Sequence, residues 1–121
     1  ALTVADGKIK IEMLHGDGYP IAILPYSVDG LSAKAALKDK TLSIEIELNS
    51  SAKLWTTHIV RVEVIDAKTN TILEHFCKNV KCDQSGKGSI ALPLSLEDAG
   101  REFTVKVRDV LSGQQTQVGA K

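Results

Sequence analysis

Aromatic residues make up only 4% of the 121-residue chain, as one Trp, two Tyr and two Phe. Binding sugars or bases by stacking needs exposed rings, and here the candidates reduce to Trp55, Tyr19 and Tyr26. Phe76 and Phe103 fall at expected core positions. An excess of charge is lacking too. Lys plus Arg is 15 and Asp plus Glu is 15, and basic residues interleave with acidic ones, as in Arg61-Val62-Glu63. A nucleic-acid binder needs a positive stripe to neutralise phosphates, so no nucleic-acid partner is expected. No apolar run is long enough to span a bilayer, so no membrane insertion is expected either. The two cysteines and the histidines His15, His58 and His75 show no C-x-x-C or H-x-x-x-H spacing, which leaves no metal site.

The patterns that carry catalysis are missing as well. There is no G-x-S-x-G elbow for a serine nucleophile. No helix follows Gly16-Asp17-Gly18, so that turn is not a phosphate cradle. Asp6, Asp17, Asp29 and Asp39 do not make a calcium loop. His75 and Cys77 would share a strand face with nothing near them to build an oxyanion hole. The expectation is a protein that is not an enzyme and needs no cofactor. Asn49-Ser50-Ser51 fits the N-glycosylation acceptor pattern, which matters only in a eukaryotic secretory setting. Cys77 and Cys82 leave two readings open. One is a local structural disulfide, which suits an exported protein. It needs a bend at Asn79–Lys81, because odd spacing puts the two on opposite faces of an unbroken strand. The other is a pair of unconnected thiols.

What the chain does have is alternation. A length of 121 residues is one domain (1–121), large enough for a two-layer core. Thr41 to Leu48 is the strongest strand, with Leu42, Ile44, Ile46 and Leu48 on one face and Thr41, Ser43, Glu45 and Glu47 on the other. Ile59 to Ile65 points Val60, Val62 and Val64 inward. Glu102 to Arg108 does the same with Phe103, Val105 and Val107.

Around these three runs, Lys8 to Leu14 alternates and reads as the first strand, followed by a turn at His15-Gly16-Asp17-Gly18. Tyr19 to Tyr26 is a second extended run, confined to an edge or to strand ends by Pro20 and Pro25. A turn at Val28-Asp29-Gly30 leads into Ser32 to Lys38. Its alanines favour helix and Ser32 could cap one, so that piece reads as a loop with at most a helical turn. The connection Asn49 to His58 carries Trp55, either packed over one end of the core or standing as a lone binding platform.

Asp66 to Asn70 turns the chain into Thr71 to Phe76, a hairpin partner for the Val60 strand. Asp83 to Gly88 turns it into Ser89 to Leu92, which Pro93 ends. Leu94 to Gly100 crosses to the Phe103 strand, Asp109 to Gly113 turns out of it, and Gln115 to Val118 forms the last edge. Turn signals about every ten residues, with seven to eight strands, predict an all-β antiparallel two-sheet β-sandwich.

Residues 60–113 carry a resemblance. Val62, Val64 and Asp66 lead into a turn, and the glycines at Gly86 and Gly88 lead into Ile90-Ala91-Leu92-Pro93-Leu94. Ala99-Gly100-Arg101-Glu102-Phe103-Thr104-Val105-Lys106-Val107-Arg108-Asp109 follows, then Ser112-Gly113. This resembles macroglobulin-type and immunoglobulin-like β-sandwich domains of extracellular or surface proteins. It is also similar to sandwich modules appended to polysaccharide-processing proteins. The resemblance covers about 50 of the 121 residues and implies an Ig-like or fibronectin-III-like fold and no activity. The thioester motif of some macroglobulin proteins is absent, so no functional residue transfers.

The resulting expectation is a non-catalytic module that is extracellular, periplasmic or on the cell surface. It would serve in domain spacing or contact with a neighbouring domain or another protein. The alternative is a carbohydrate-binding module using Trp55, Tyr19 and Tyr26 on a polysaccharide. The chain opens Ala1-Leu2 without an initiator Met, which fits a processed protein, a recombinant product or a piece cut from a larger chain, the last being the preferred expectation. Edge pairing into a dimer would use Lys8–Leu14 and Gln115–Val118.

Overall fold

The computed structural model describes residues 4–53 and 56–121. In chain order its strands are β1 (Val4–Ala5), β2 (Lys8–Ile9), β3 (Gly30–Lys38), β4 (Thr41–Asn49), β5 (His58–Asp66), β6 (Thr71–Ile72), β7 (Lys78–Cys82), β8 (Lys87–Pro93), β9 (Phe103–Asp109) and β10 (Gln115–Ala120). Two short 3-10 turns, Glu74–Phe76 and Leu96–Asp98, are the only helical pieces among the described residues. The fold is all-β, with every ladder antiparallel.

One sheet runs β3-β4-β8, and a second runs β10-β9-β5, with β6 and β7 sharing the far edge of β5. The alternating apolar runs meet between these sheets. Leu42, Ile44, Ile46, Leu48 and Leu92 come from the first, and Val60, Val62, Val64, Val80, Phe103, Val105 and Val107 from the second, forming one buried cluster. Burying each such side chain stabilises the fold by about 1.5–3 kcal/mol. Phe76 reaches the same core and meets Phe103 edge-on, with ring centroids 6.3 Å apart. That geometry suits the ring quadrupoles.

The segment expected to be a loop or helical turn at Ser32–Lys38 is strand β3, paired with β4 over nine residues from Gly30↔Asn49 to Lys38↔Thr41. Helix propensity differs by only a few tenths of a kcal/mol per residue, and so short a helix cannot stand alone. The hairpin decides instead. Asp39 and Lys40 both take positive φ, 48° and 59°, the geometry of a two-residue turn that matches strand twist. Leu31, Ala33, Ala35 and Leu37 then fall half-buried on the core side.

Other expectations are corrected at the ends of the alternating runs. Of Lys8–Leu14, only Lys8 and Ile9 join a ladder, with Val4 and Ala5. The chain from Lys10 to Asp29 contains no strand, including the Tyr19–Tyr26 run. Neither the rest of the Lys8–Leu14 alternation nor the apolar run Tyr19–Tyr26 finds a sheet edge to pair with, and an extended run without a partner does not make a strand. The turn between those runs does form, with the Leu14 and Asp17 backbones bonded at 3.0 Å. The Thr71–Phe76 hairpin partner is two residues long, because the chain turns at Leu73 to drive Phe76 into the core. The strand that extends that edge is β7, which was not expected.

Cys77 and Cys82 are both buried free thiols, so the structural disulfide is not formed. No bend opens at Asn79–Lys81, since β7 pairs with β5 without interruption from Lys78 to Cys82. Five extended residues separate the two Cα atoms by roughly 16 Å, beyond disulfide reach.

Candidate functional site

The concentrated chemistry of the molecule is one buried polar cluster at the end of β5 and β9. His58 opens β5 with the same parity as Val60, Val62 and Val64, and Asp109 closes β9 in phase with Phe103, Val105 and Val107. The alternation that buries those apolar side chains therefore buries both polar ones, and neither exposes any surface. His58 Nδ1 lies 3.0 and 2.9 Å from the two Asp109 carboxylate oxygens. Asp109 Oδ2 also accepts from the Ser112 backbone N–H at 2.9 Å and from the Ser112 hydroxyl. On the other side, His58 Nε2 meets the Tyr26 hydroxyl at 2.8 Å. The chain Tyr26–His58–Asp109–Ser112 thus joins the N-terminal segment, β5, β9 and the turn into β10.

Each contact answers a requirement of burial. A carboxylate out of water costs several kcal/mol unless it is paired and hydrogen-bonded. Asp109 receives the imidazole N–H and two donors from the turn it begins. Among the described residues, no buried side-chain nitrogen or oxygen is left without a partner. The Gln114 side chain closes the same corner by donating to the Val28 carbonyl at 3.3 Å.

The cluster resembles the base-and-orienter half of a hydrolase, but its order is different. Ser112 lies on the aspartate side of the histidine, and Nε2, where a nucleophile would sit, faces Tyr26. The thiol nearest in the ladder is Cys82, directly opposite His58. Burial first, then the charges of Asp109 and Asp83, push Cys82 up to about 11, so it is a protonated thiol at neutral pH. A nucleophilic cysteine needs the reverse shift. Among the described residues, hollows of about 570, 420 and 240 Å³ include none of His58, Asp109 or Cys82 in their walls.

The residues singled out from the sequence are not brought together. Tyr26 is half-buried and its hydroxyl is taken up by His58. Tyr19 is 53% exposed on the segment that has no strand. Trp55 lies outside the described residues. Cys77 packs near the Leu73 carbonyl, away from the His58 end. Sequence reasoning missed the His58–Asp109 pair because 51 residues separate its members. A signal was present: each is a polar residue in phase with the apolar face of its strand.

Among the described residues, no group of three or more His, Cys, Asp or Glu side chains is arranged to hold a metal ion. No helix among them is long and apolar enough to cross a membrane. Compared with known proteins, the chain matches no protein-family model and no curated protein.

Proposed function

We propose that this chain is a non-catalytic β-sandwich module of an exported or cell-surface protein, working through contact with a neighbouring domain or another protein. The observation that carries this reading is the N-terminal segment. Between Lys10 and Asp29 it exposes Met13, Leu14, Tyr19, Ile21 and Ile23, with Leu14 and Ile23 at 80% and 87%. Scattered apolar residues on a surface mean little, but a run of them on one segment marks a contact site. The backbone there also has no sheet partner of its own. The titratable cluster points the same way, since its groups are spent on one another inside the fold.

The finer fold proposed is a fibronectin-III-like variant of the immunoglobulin sandwich. Taking only strands of five residues or more, lettered A to G, the order is A-B-E in one sheet and G-F-C in the other, with the fourth strand beside C. Two such sheets around one core are the architecture of that class. The export part of the reading rests on the sequence resemblance.

The test is a photo-crosslinker, benzoylphenylalanine, placed at position 14 or 23 and irradiated in the cell that makes the protein. A discrete adduct to one protein, or to another part of the same parent chain, is expected. Only a diffuse smear at both positions, matching that from an exposed polar control at Lys68, would end the reading.

A further inference from the structure

Charges on the outward faces of the two sheets obey a rule that is broken in one place. On the β3-β4-β8 sheet, Lys34 stands opposite Glu45 and Glu47 opposite Lys87. On the second sheet, Glu63 stands opposite Lys106. Opposite charges directly across strands stabilise a sheet, and like charges destabilise it. Arg61 breaks the rule, because its partner on β9 is Arg108.

The neighbours do not repair the mismatch. Asn79 flanks Arg61 on β7, and Gln115 flanks Arg108 on β10. Neither guanidinium is in an ion pair among the described residues. The row across four strands therefore reads carboxamide, guanidinium, guanidinium, carboxamide, at about 4.8 Å per step. A hollow of about 240 Å³, lined by Arg61, Glu63, Lys106, Arg108 and Gln115, opens over it. Within that wall three cations, Arg61, Lys106 and Arg108, stand against the single carboxylate of Glu63, so the face is net positive.

We infer that the outward face of β10-β9-β5-β7 docks an extended acidic segment of a partner protein, with a carboxylate bridging Arg61 and Arg108. This rests on the contact-module reading above and gives the contact a second surface with a stated chemistry. Guanidinium forks bind carboxylates through paired, charge-assisted hydrogen bonds. A carboxylate seated between two of them also removes their mutual repulsion.

The next row names the rest of the ligand. The Val110 N–H bonds the Ile59 carbonyl at 3.0 Å, so Ile59 and Val110 stand side by side, 38% and 55% exposed. An arginine pair beside an aliphatic pair has the composition of a protein interface. The two rows are about 6.8 Å apart, the same-face repeat of an extended strand. A segment with Glu at position i and an aliphatic residue at i+2 matches both. This face carries no aromatic ring among its described residues, so an acidic polysaccharide would find no stacking platform.

The probe is a synthetic peptide with Glu and Val at alternate same-face positions and Ser between them. It is titrated into the 15N-labelled protein alongside a Lys-for-Glu version and polygalacturonate. Chemical-shift changes are expected at Arg61, Arg108 and Val110, including the arginine side-chain N–H signals. Binding should weaken with added salt and be lost to the Lys peptide. R61Q/R108Q, on an exposed face, should keep the parent circular dichroism and weaken binding tenfold or more. K34Q/K87Q, on the other outward face, should leave binding unchanged.

Three results overturn the inference: no shifts on this face at millimolar peptide, equal affinity for R61Q/R108Q, or binding of polygalacturonate alone. In the first two cases a crosslink at position 14 or 23 would leave the contact module standing on its N-terminal surface. In the third, this face would pass to a polysaccharide.

Discussion

Removing the Asp109 carboxylate by Asp109→Ala takes three contacts from the buried cluster. The His58 Nδ1–H loses its acceptor, as do the Ser112 backbone N–H and hydroxyl. Breaking a fully buried pair by deleting one partner costs about 3–5 kcal/mol, chiefly because the other group stays behind unpaired. Each orphaned donor alone costs about 1–3 kcal/mol. Against a total stability of about 5–15 kcal/mol for a chain of this kind, the variant should sit near the edge of folding. Its Tm should fall by roughly 12–20 °C.

A series refines the reasoning. Asp109→Asn keeps the shape and one acceptor, and should lose about 1.5–3 kcal/mol, the worth of a hydrogen bond to a charged group. Tyr26→Phe deletes only the hydroxyl on His58 Nε2, and should lose about 1–3 kcal/mol. Replacing both members, in His58→Leu/Asp109→Leu, should cost less than the sum of the single losses, since no charge is then stranded. The assay is urea unfolding followed by far-ultraviolet circular dichroism, with the slope m unchanged across the series. If Asp109→Ala proves within about 0.5 kcal/mol of the parent, as surface substitutions are, the cluster does not hold this corner and the argument fails.

Gly88 gives an independent steric test. A Cβ there would lie 2.8 Å from the Cys82 Sγ and 3.0 Å from the Lys81 carbonyl, so Gly88→Ala should lose about 1–3 kcal/mol in the same urea assay. Cys82, pushed up to about 11 and fully buried, should resist a thiol reagent at pH 8 in the native protein. It should react only as fast as the fold opens, and fast labelling of native Cys82 would contradict its placement. Asp29, Asp66, Asp83 and Asp98 are all held below the usual carboxylate range, chiefly by hydrogen bonds from nearby hydroxyls and backbone N–H groups. Near pH 3–4 the unfolded chain then binds more protons than the native one. The contribution of these four carboxylates should be full above about pH 5 and lost as the pH falls below about 4. Asp83→Asn should reduce that loss, and an unchanged acid profile would count against it.

The central strands were legible because they are buried on one face along their whole length. Period two was therefore enforced in Thr41–Leu48, Ile59–Ile65 and Phe103–Val107, and all three bury the side chains expected. Two edges were legible, Ser89–Leu92 within β8 and Gln115–Val118 within β10; the others were not, for different reasons. In Ser32–Lys38, alanine's helix preference was visible, but the Asp39–Lys40 turn that overrides it lay outside the pattern. In Lys8–Leu14 the alternation was real, and Tyr19–Tyr26 was apolar along its length, but no sheet edge answered either run. The polar cluster was half legible. His58 and Asp109 each announced themselves by parity, but which buried groups would meet depends on strand order, and spacing along a single sequence does not encode that. The Arg61–Arg108 mismatch was hidden in the same way, since it exists only once the register of β5 against β9 is known.

Two short strands share the far edge of β5, and between them the chain leaves the ladder at Leu73 to send Phe76 inward. A continuous, flat edge would offer an open row of backbone donors and acceptors to any passing strand, the usual route to aggregation. Here the row is cut into pieces of two and five residues, with Lys78 and Lys81 exposed on the longer one. The interruption that obscured this edge in the sequence also blunts it against strand addition. The β10 strand, six residues without a break, is left as the longer run of this sheet's margin.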